Sequence, residues 1–446
     1  MNLSISKIKD LAGEKLGSLW KSGGVHVISG SFLNKFVAFF GSMVIVRLLT
    51  KADYGGIRYV ENLYNFFFLV AGMGISNAVL RFVVLEDDLN EKRSVYRFMT
   101  RTALIFNVVL VVLGLIINRF YPHEGEFGSY GYLLYIMLLM LPAQYFNDNS
   151  LTLERAMFDN KRFAYLNFAF AFTVILGKVV GAIGGNLLLY VILGVAIQAA
   201  FAVSLGITNH RKYFKDVQAG PVPKDKQKRI ITYSLQYMVT NGMWALFMLL
   251  DVYLIGRILN DPEALADYNV AFAWPANISI VCQAAAMFIN PYFIKNENDP
   301  VWVRKNFRLM YGINFLAVLA VSVVMIVLAK PLIFINGGPK YYNVIPLMRI
   351  IVVGSLINNG LRYMIANCLA AMGRIKVNMA VSVVGVVGLA ALDMILIPRF
   401  HEYGPAYAGI IVHAVMALIM LIAFNKEYHI IGGHRAEPLP TEEKDD

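Results

Sequence analysis

Apolar residues in this sequence gather in long runs instead of alternating with polar ones. A helix rising 1.5 Å per residue needs about 20 such residues to cross a bilayer core. Twelve runs meet that description: 25–46, 59–80, 102–118, 131–152, 163–184, 187–207, 230–256, 267–293, 309–329, 344–368, 377–397 and 405–425. The cleanest are Leu104–Ile117 and Phe315–Ala329, which carry no charge. The second, fourth and eighth are the weakest. They are interrupted by Glu61, by Gln144, Asn147 and Asp148, and by Asn269, Pro275 and Gln283. Pro275 and Pro291 remove backbone donors and are expected to kink the eighth. The fifth and sixth are separated only by Gly184, Gly185 and Asn186, which predicts a tight hairpin. The pattern predicts an all-α, polytopic membrane protein.

The polar stretches divide the chain further. Residues 1–24 place Ile8, Leu11, Leu16, Leu19 and Trp20 at helical spacing between lysines, which predicts an amphipathic helix in the membrane interface. No small-residue cleavage site follows it, so it does not read as a signal peptide. Residues 208–229 form the longest polar interruption and hold Gly220, Pro221 and Pro223, so they predict a linker. That linker separates two six-helix bundles, 25–207 and 230–425, and residues 426–446 form a tail. The halves repeat weakly. Arg47-Leu48-Leu49 closes the first run and Ala52-Asp53-Tyr54 follows; Arg257-Ile258-Leu259 closes the seventh and Ala266-Asp267-Tyr268 follows. Six spans per half make the repeats parallel, and a cavity commonly lies between such halves.

Composition narrows the class. The 446 residues are 58% hydrophobic and only 15% charged, against about 25% charged in soluble domains. Aromatic residues at 13% and only two cysteines exclude disorder and a disulfide scaffold. Cys282 and Cys368 lie inside apolar runs, as packing thiols do. With the N-terminus inside, 28 of the 40 Lys and Arg fall in inner segments, 8 in outer ones and four within spans. This bias places both termini in the cytoplasm. It also assigns most of the +11 net charge to a face matched to anionic membrane lipids, not to nucleic acid.

No GxxxxGK[ST] loop, HExxH, GxSxG or Cys/His metal cluster occurs, and no outer loop is long enough for a catalytic domain. The chain therefore reads as a transporter and not an enzyme, with no cofactor and no metal. Charges within spans are the informative residues, because a charge in the bilayer core costs several kcal/mol and faces a partner or a wet cavity. The basic set is Lys35, Lys178, Arg349 and Arg362; the acidic set is Glu61, Asp148, Asp251 and Asp393. Arg349 and Asp393 lie near outer ends, where a side chain can snorkel. His413 has no carboxylate in its own span and reads as a packed histidine. Lys35, Lys178 and Arg362, with Arg58 at the rim and polar Glu61, Asn358 and Asn359, are the candidate substrate-binding residues. Their excess of cations suits an anionic ligand such as a phosphate. Asp251 and Asp393 are the candidate ion-coupling carboxylates.

Residues 41–55, ending in Arg47-Leu48-Leu49-Thr50-Lys51-Ala52-Asp53-Tyr54-Gly55, resemble the start of the polysaccharide-biosynthesis exporters. The stretch Gly72-Met73-Gly74-Ile75-Ser76-Asn77-Ala78-Val79-Leu80-Arg81-Phe82 is similar to the segment closing the second span in that family, although Asp53 followed by Gly55-Gly56 departs from its usual turn. The resemblance implies the MATE-like fold of the multidrug/oligosaccharidyl-lipid/polysaccharide exporters, with twelve transmembrane helices as two six-helix bundles in a V. It implies a flippase that moves a polyprenyl-pyrophosphate-linked oligosaccharide, a repeat unit of O-antigen, capsule or exopolysaccharide, across the bacterial cytoplasmic membrane by alternating access. Polymerase and chain-length machinery would be further partners, and the cationic residues would meet the pyrophosphate. Twelve spans instead of fourteen favour repeat-unit flippases over lipid II flippases. The competing reading is a cation-coupled multidrug antiporter of the same fold. A major-facilitator carrier would need glycines in the loop at 85–93, which has none, and a polysaccharide polymerase would need a large outer loop.

Overall fold

The computed structural model describes residues 24–428, except 122, 124, 297, 298, 373 and 374. The amphipathic helix expected before residue 24 and the tail beyond 428 lie outside the described residues. Every regular element among the described residues is helical. They divide into two compact units: Met1–Leu249 with Asn260–Ala266, and Leu250–Leu259 with Asp267–Asp446.

The first unit is built from α1 (Gly24–Leu48), α2 (Lys51–Val70), α3 (Ile75–Val84), α4 (Leu89–Phe120), α5 (Gly131–Ala156), α6 (Asn160–Ile183) and α7 (Leu187–Tyr213). Most of α8 (Lys224–Leu259) also belongs to it. The Thr50–Gly56 motif has a physical explanation here. Thr50 caps α2 by accepting from the Asp53 amide at 3.1 Å, while its hydroxyl donates to the Asp53 carboxylate at 2.7 Å, a side-chain N-cap that starts the helix sharply. At Gly55 a Cβ would lie 1.7 Å from the Pro262 carbonyl oxygen, so only glycine allows this approach. Gly56 leaves room for the Tyr130 ring, 2.5 Å from where its Cβ would be.

The second motif is a helix break. Between α2 and α3, residues Ala71–Gly74 form a 3₁₀ segment with positive φ at Gly72, Met73 and Gly74. A break inside a membrane span frees backbone groups that lipid cannot satisfy. Here the Gly72 amide donates to the Asn107 side chain at 2.6 Å. The Tyr145 hydroxyl donates to the Gly72 carbonyl at 3.2 Å and accepts from the Ser76 amide at 2.7 Å. Ser76 donates to Asn149 at 2.7 Å. Of the residues that weakened the fourth run, Gln144 accepts from Tyr64 at 2.7 Å and Asn147 donates to the Gln198 carbonyl at 2.9 Å, so they serve neighbouring helices, and α5 itself is continuous through Pro142.

The second unit contains the end of α8, most of α9 (Pro262–Phe272), α10 (Ser279–Lys295), α11 (Pro300–Val327), α12 (Ala329–Gly337), α13 (Ile345–Leu356), α14 (Tyr363–Ala371), α15 (Ile375–Phe400) and α16 (Gly404–Tyr428). The eighth run is also broken, by the 3₁₀ segment Pro275–Ile278, with Pro275 at its first turn. Helix α10 continues through Pro291. A π-turn, Ile357–Arg362, joins α13 to α14.

Each of the twelve expected runs falls on a helix or a pair of helix segments. Eight stretches among the described residues are long and apolar enough to cross a membrane by length and composition. The 51-residue stretch Lys376–Lys426 covers two of the expected runs.

Candidate functional site

Within the first unit the structure brings Arg58, Glu61 and Lys178 together. Glu61 projects from α2 into a cavity of about 290 Å³ bounded by α5, α6 and α7. Lys178 donates to its Oε1 at 2.7 Å, Arg58 to its Oε2 at 2.9 Å, and the Tyr190 hydroxyl to Oε1 at 3.1 Å. Arg58 is held in turn by its Nε donating to the Tyr54 hydroxyl at 2.9 Å. The side chains remain partly open, 14% exposed at Glu61, 22% at Lys178 and 33% at Arg58. Two guanidinium or ammonium groups thus share one carboxylate, leaving the cluster one positive charge in excess.

Local geometry explains the convergence. Arg58 and Glu61 are one turn apart on α2 and share a face. Gly181 on α6 has no room for a Cβ, which would sit 2.3 Å from the Tyr190 Cα. This close approach of α6 and α7 sets Tyr190 beside Lys178, whose Nζ lies 5.3 Å from the Tyr190 ring centre. The remaining polar groups of the wall are amide and hydroxyl, Asn65, Gln144 and Gln198, with the Tyr64 hydroxyl donating to Gln144 at 2.7 Å, and Met137, Met140, Val174 and Val191 add apolar lining. Tyr190, Tyr54 and the two glutamines were not among the candidate substrate-binding residues read from the sequence. A hydroxyl in an apolar run has no periodic signature, and only packing reveals what it faces.

Arg362, Asn358 and Asn359 meet in the second unit, on the π-turn. Arg362 is 5% exposed, and its Nε donates to the Asn358 side-chain oxygen at 2.7 Å. The Asn359 carbonyl, freed by the wider turn, accepts from Asn314 at 3.1 Å and from the Cys282 thiol at 3.2 Å. One-turn π insertions are frequent at functional positions. Lys35 lies exposed on α1 in the first unit.

Asp251 on α8 and Asp393 on α15 lie close enough to interact with each other. The Tyr268 hydroxyl donates to Asp251. Asp393 is fully buried and neither of its carboxylate oxygens has a hydrogen-bond partner among the described residues, so it does not snorkel as its position near a helix end suggested: its short side chain turns into the unit, near Asp251. Arg349 is exposed and its Nε donates to the Ile326 carbonyl at 3.3 Å, as a helix-end anchor does.

The family model for polysaccharide biosynthesis proteins matches residues 19–297. The chain belongs to this family. Solved structures of the same fold include the lipid II flippase MurJ in an inward closed conformation, at 14% identity and a TM-score of 0.68, covering 91% of this chain and 89% of that one. An inward-facing multidrug resistance MATE transporter of the MOP superfamily matches at 13% identity and a TM-score of 0.66, over 88% and 94% of the two chains. The MATE multidrug transporter DinF-BH matches at 13% identity and a TM-score of 0.64, over 93% and 96%. Among curated proteins none matches this sequence. The chain is therefore a multi-pass membrane protein of this family with the MATE-like exporter fold.

Proposed function

We propose that this protein is a flippase that moves a polyprenyl-pyrophosphate-linked oligosaccharide across the bacterial cytoplasmic membrane, with both termini in the cytoplasm and six spans on either side of residues 208–229. The observation that carries this reading is the cavity of the first unit. Lys178 and Glu61 line it, Arg58 adds a second cation on the same carboxylate, and Asn65, Gln144 and Gln198 bring amides to an otherwise apolar wall, a chemistry that suits an anionic, sugar-bearing headgroup. Lys178 and Arg58 meet the pyrophosphate, releasing part of their hold on Glu61, while Asn65, Gln144 and Gln198 bond sugar hydroxyls. Arg362 with Asn358 and Asn359 supplies a second polar site, and Lys35 a cation along the path. No covalent step is needed: the headgroup crosses while the polyprenyl tail stays in lipid. Polymerase and chain-length machinery receive the product.

A second reading, a cation-coupled antiporter of the same fold, draws on the Asp251–Asp393–Tyr268 group. Within the flippase reading the same carboxyl pair couples transport to a cation or proton. One genetic experiment separates the readings. Cells lacking this protein should accumulate completed lipid-linked oligosaccharide on the inner leaflet, and Lys178→Glu and Arg362→Glu, present at normal abundance, should each fail to restore surface polysaccharide. Normal polysaccharide from both variants would remove the site assignment. Drug sensitivity without trapped lipid would favour the antiporter.

A further inference from the structure

A second cavity, of about 380 Å³, opens on the first unit between α4, α5 and α7. Its basic side chains are Arg93, Arg97 and Arg101 on α4 and His210 on α7, with Tyr96, Thr100 and Asn209 as the neutral polar groups beside them. The three arginines are spaced i, i+4, i+8 and therefore line one helix face, over about 12 Å at 1.5 Å per residue. Its lining contains no acidic side chain. Arg93 donates to the Phe214 carbonyl at 3.1 Å, which fixes the arginine ladder against the C-terminal end of α7. Arg97 and Arg101 are exposed.

Beyond Arg101 the same groove becomes apolar within one turn, at Leu104, Ile105 and Phe146. Gly206 keeps it open: even a Cβ there would reach the Phe146 ring at 3.4 Å, so a larger side chain would fill the space. A cationic end followed directly by an apolar slot, on a helix that crosses a membrane, is the shape of an amphiphile with a negative head.

We infer that this groove binds one anionic glycerophospholipid, its phosphate among Arg97, Arg101 and His210 and its first acyl segment against Leu104, Ile105 and Phe146. A charge-matched lipid here is held by geometry and not only by the general attraction of a basic surface, which Lys and Arg near any anionic bilayer provide. The inference rests on the membrane-spanning fold and is independent of the transported cargo.

The test is native mass spectrometry of the full-length protein released from detergent with added phosphatidylglycerol, phosphatidylcholine or undecaprenyl pyrophosphate. The wild type should retain one phosphatidylglycerol in preference to phosphatidylcholine. Arg97→Gln with Arg101→Gln should weaken that retention at least tenfold. Gly206→Leu, which leaves every charge in place, should weaken it as well. The pair Lys224→Gln and Lys228→Gln removes the same charge from an exposed stretch and should have no such effect. Equal losses from both charge pairs, or none from Arg97→Gln with Arg101→Gln, would overturn the inference. Undecaprenyl pyrophosphate displacing phosphatidylglycerol from the wild type, with the arginine variants blind to both, would reassign the groove to the cargo. Transport of the oligosaccharide is read separately by the polysaccharide assay, so failure of one reading leaves the other intact.

Discussion

Glu61 shows how one residue can be legible in type and illegible in role. As a carboxylate inside an apolar run it had to have a partner, because membrane burial of a lone charge costs several kcal/mol. Which partner it has was settled by α6 and α7, which deliver Lys178 and Tyr190 from 117 and 129 residues away. The asymmetry of the cluster gives a test. Glu61→Gln leaves Arg58 and Lys178 facing each other without an anion. It should lower stability by about 2 kcal/mol, below the range for fully buried pairs because the cluster is partly open. Lys178→Gln leaves the Arg58–Glu61 pair intact and should cost less than about 1 kcal/mol. Thermal melting of the detergent-purified variants checks the order; equal midpoints would show that the cluster is not a coupled unit. Asp393 is the converse case: its place near a helix end suggested water, and its burial beside Asp251 shows that position along a helix does not set direction around it.

At the scale of elements, the two families of polar interruption were visible in the sequence but ambiguous. Glu61 marked the second run as weak and Pro275 the eighth, and both runs hold a 3₁₀ break, at Ala71–Gly74 and Pro275–Ile278, in the second span of their half. The helix Gly131–Ala156, also marked as weak by its polar residues, runs unbroken, and its Tyr145 and Asn149 side chains bond to the broken neighbour. Sequence patterns count polar groups, whereas a helix breaks or continues according to where those groups find hydrogen bonds. The break therefore has a predicted sensitivity. Asn107→Leu is close in volume but leaves the Gly72 amide without its acceptor, a cost of about 1–3 kcal/mol. It should lower the melting temperature of the purified protein, and an unchanged melting temperature would show that this bond does not hold the break. The repeated Arg-(Leu/Ile)-Leu tripeptides end α1 and α8 alike, so this part of the internal symmetry is a symmetry of helix ends.

For the whole molecule, orientation is the property that the sequence specifies and packing does not. With 28 of 40 Lys and Arg on one set of loops, the insertion bias predicts which loops face the cytoplasm. In a variant with Cys282 and Cys368 replaced by alanine, a cysteine at Gly184 in the α6–α7 hairpin should react with a membrane-impermeant maleimide in intact cells. A cysteine at Lys215 should react only after permeabilisation. The opposite labelling would invert the topology and with it the direction proposed for transport. The sequence alone determined the membrane class, the helical runs, the charge bias and the family, because each depends on composition and short-range order along the chain. Only the tertiary structure decided that Lys178 and Tyr190 converge on the Arg58–Glu61 pair, that Asp393 lies beside Asp251, and that Arg97 and Arg101 border an apolar groove closed by Phe146. These are contacts between distant segments. They depend on how helices rotate and how closely glycines such as Gly55 and Gly181 let them approach, and neither is encoded in a one-dimensional pattern.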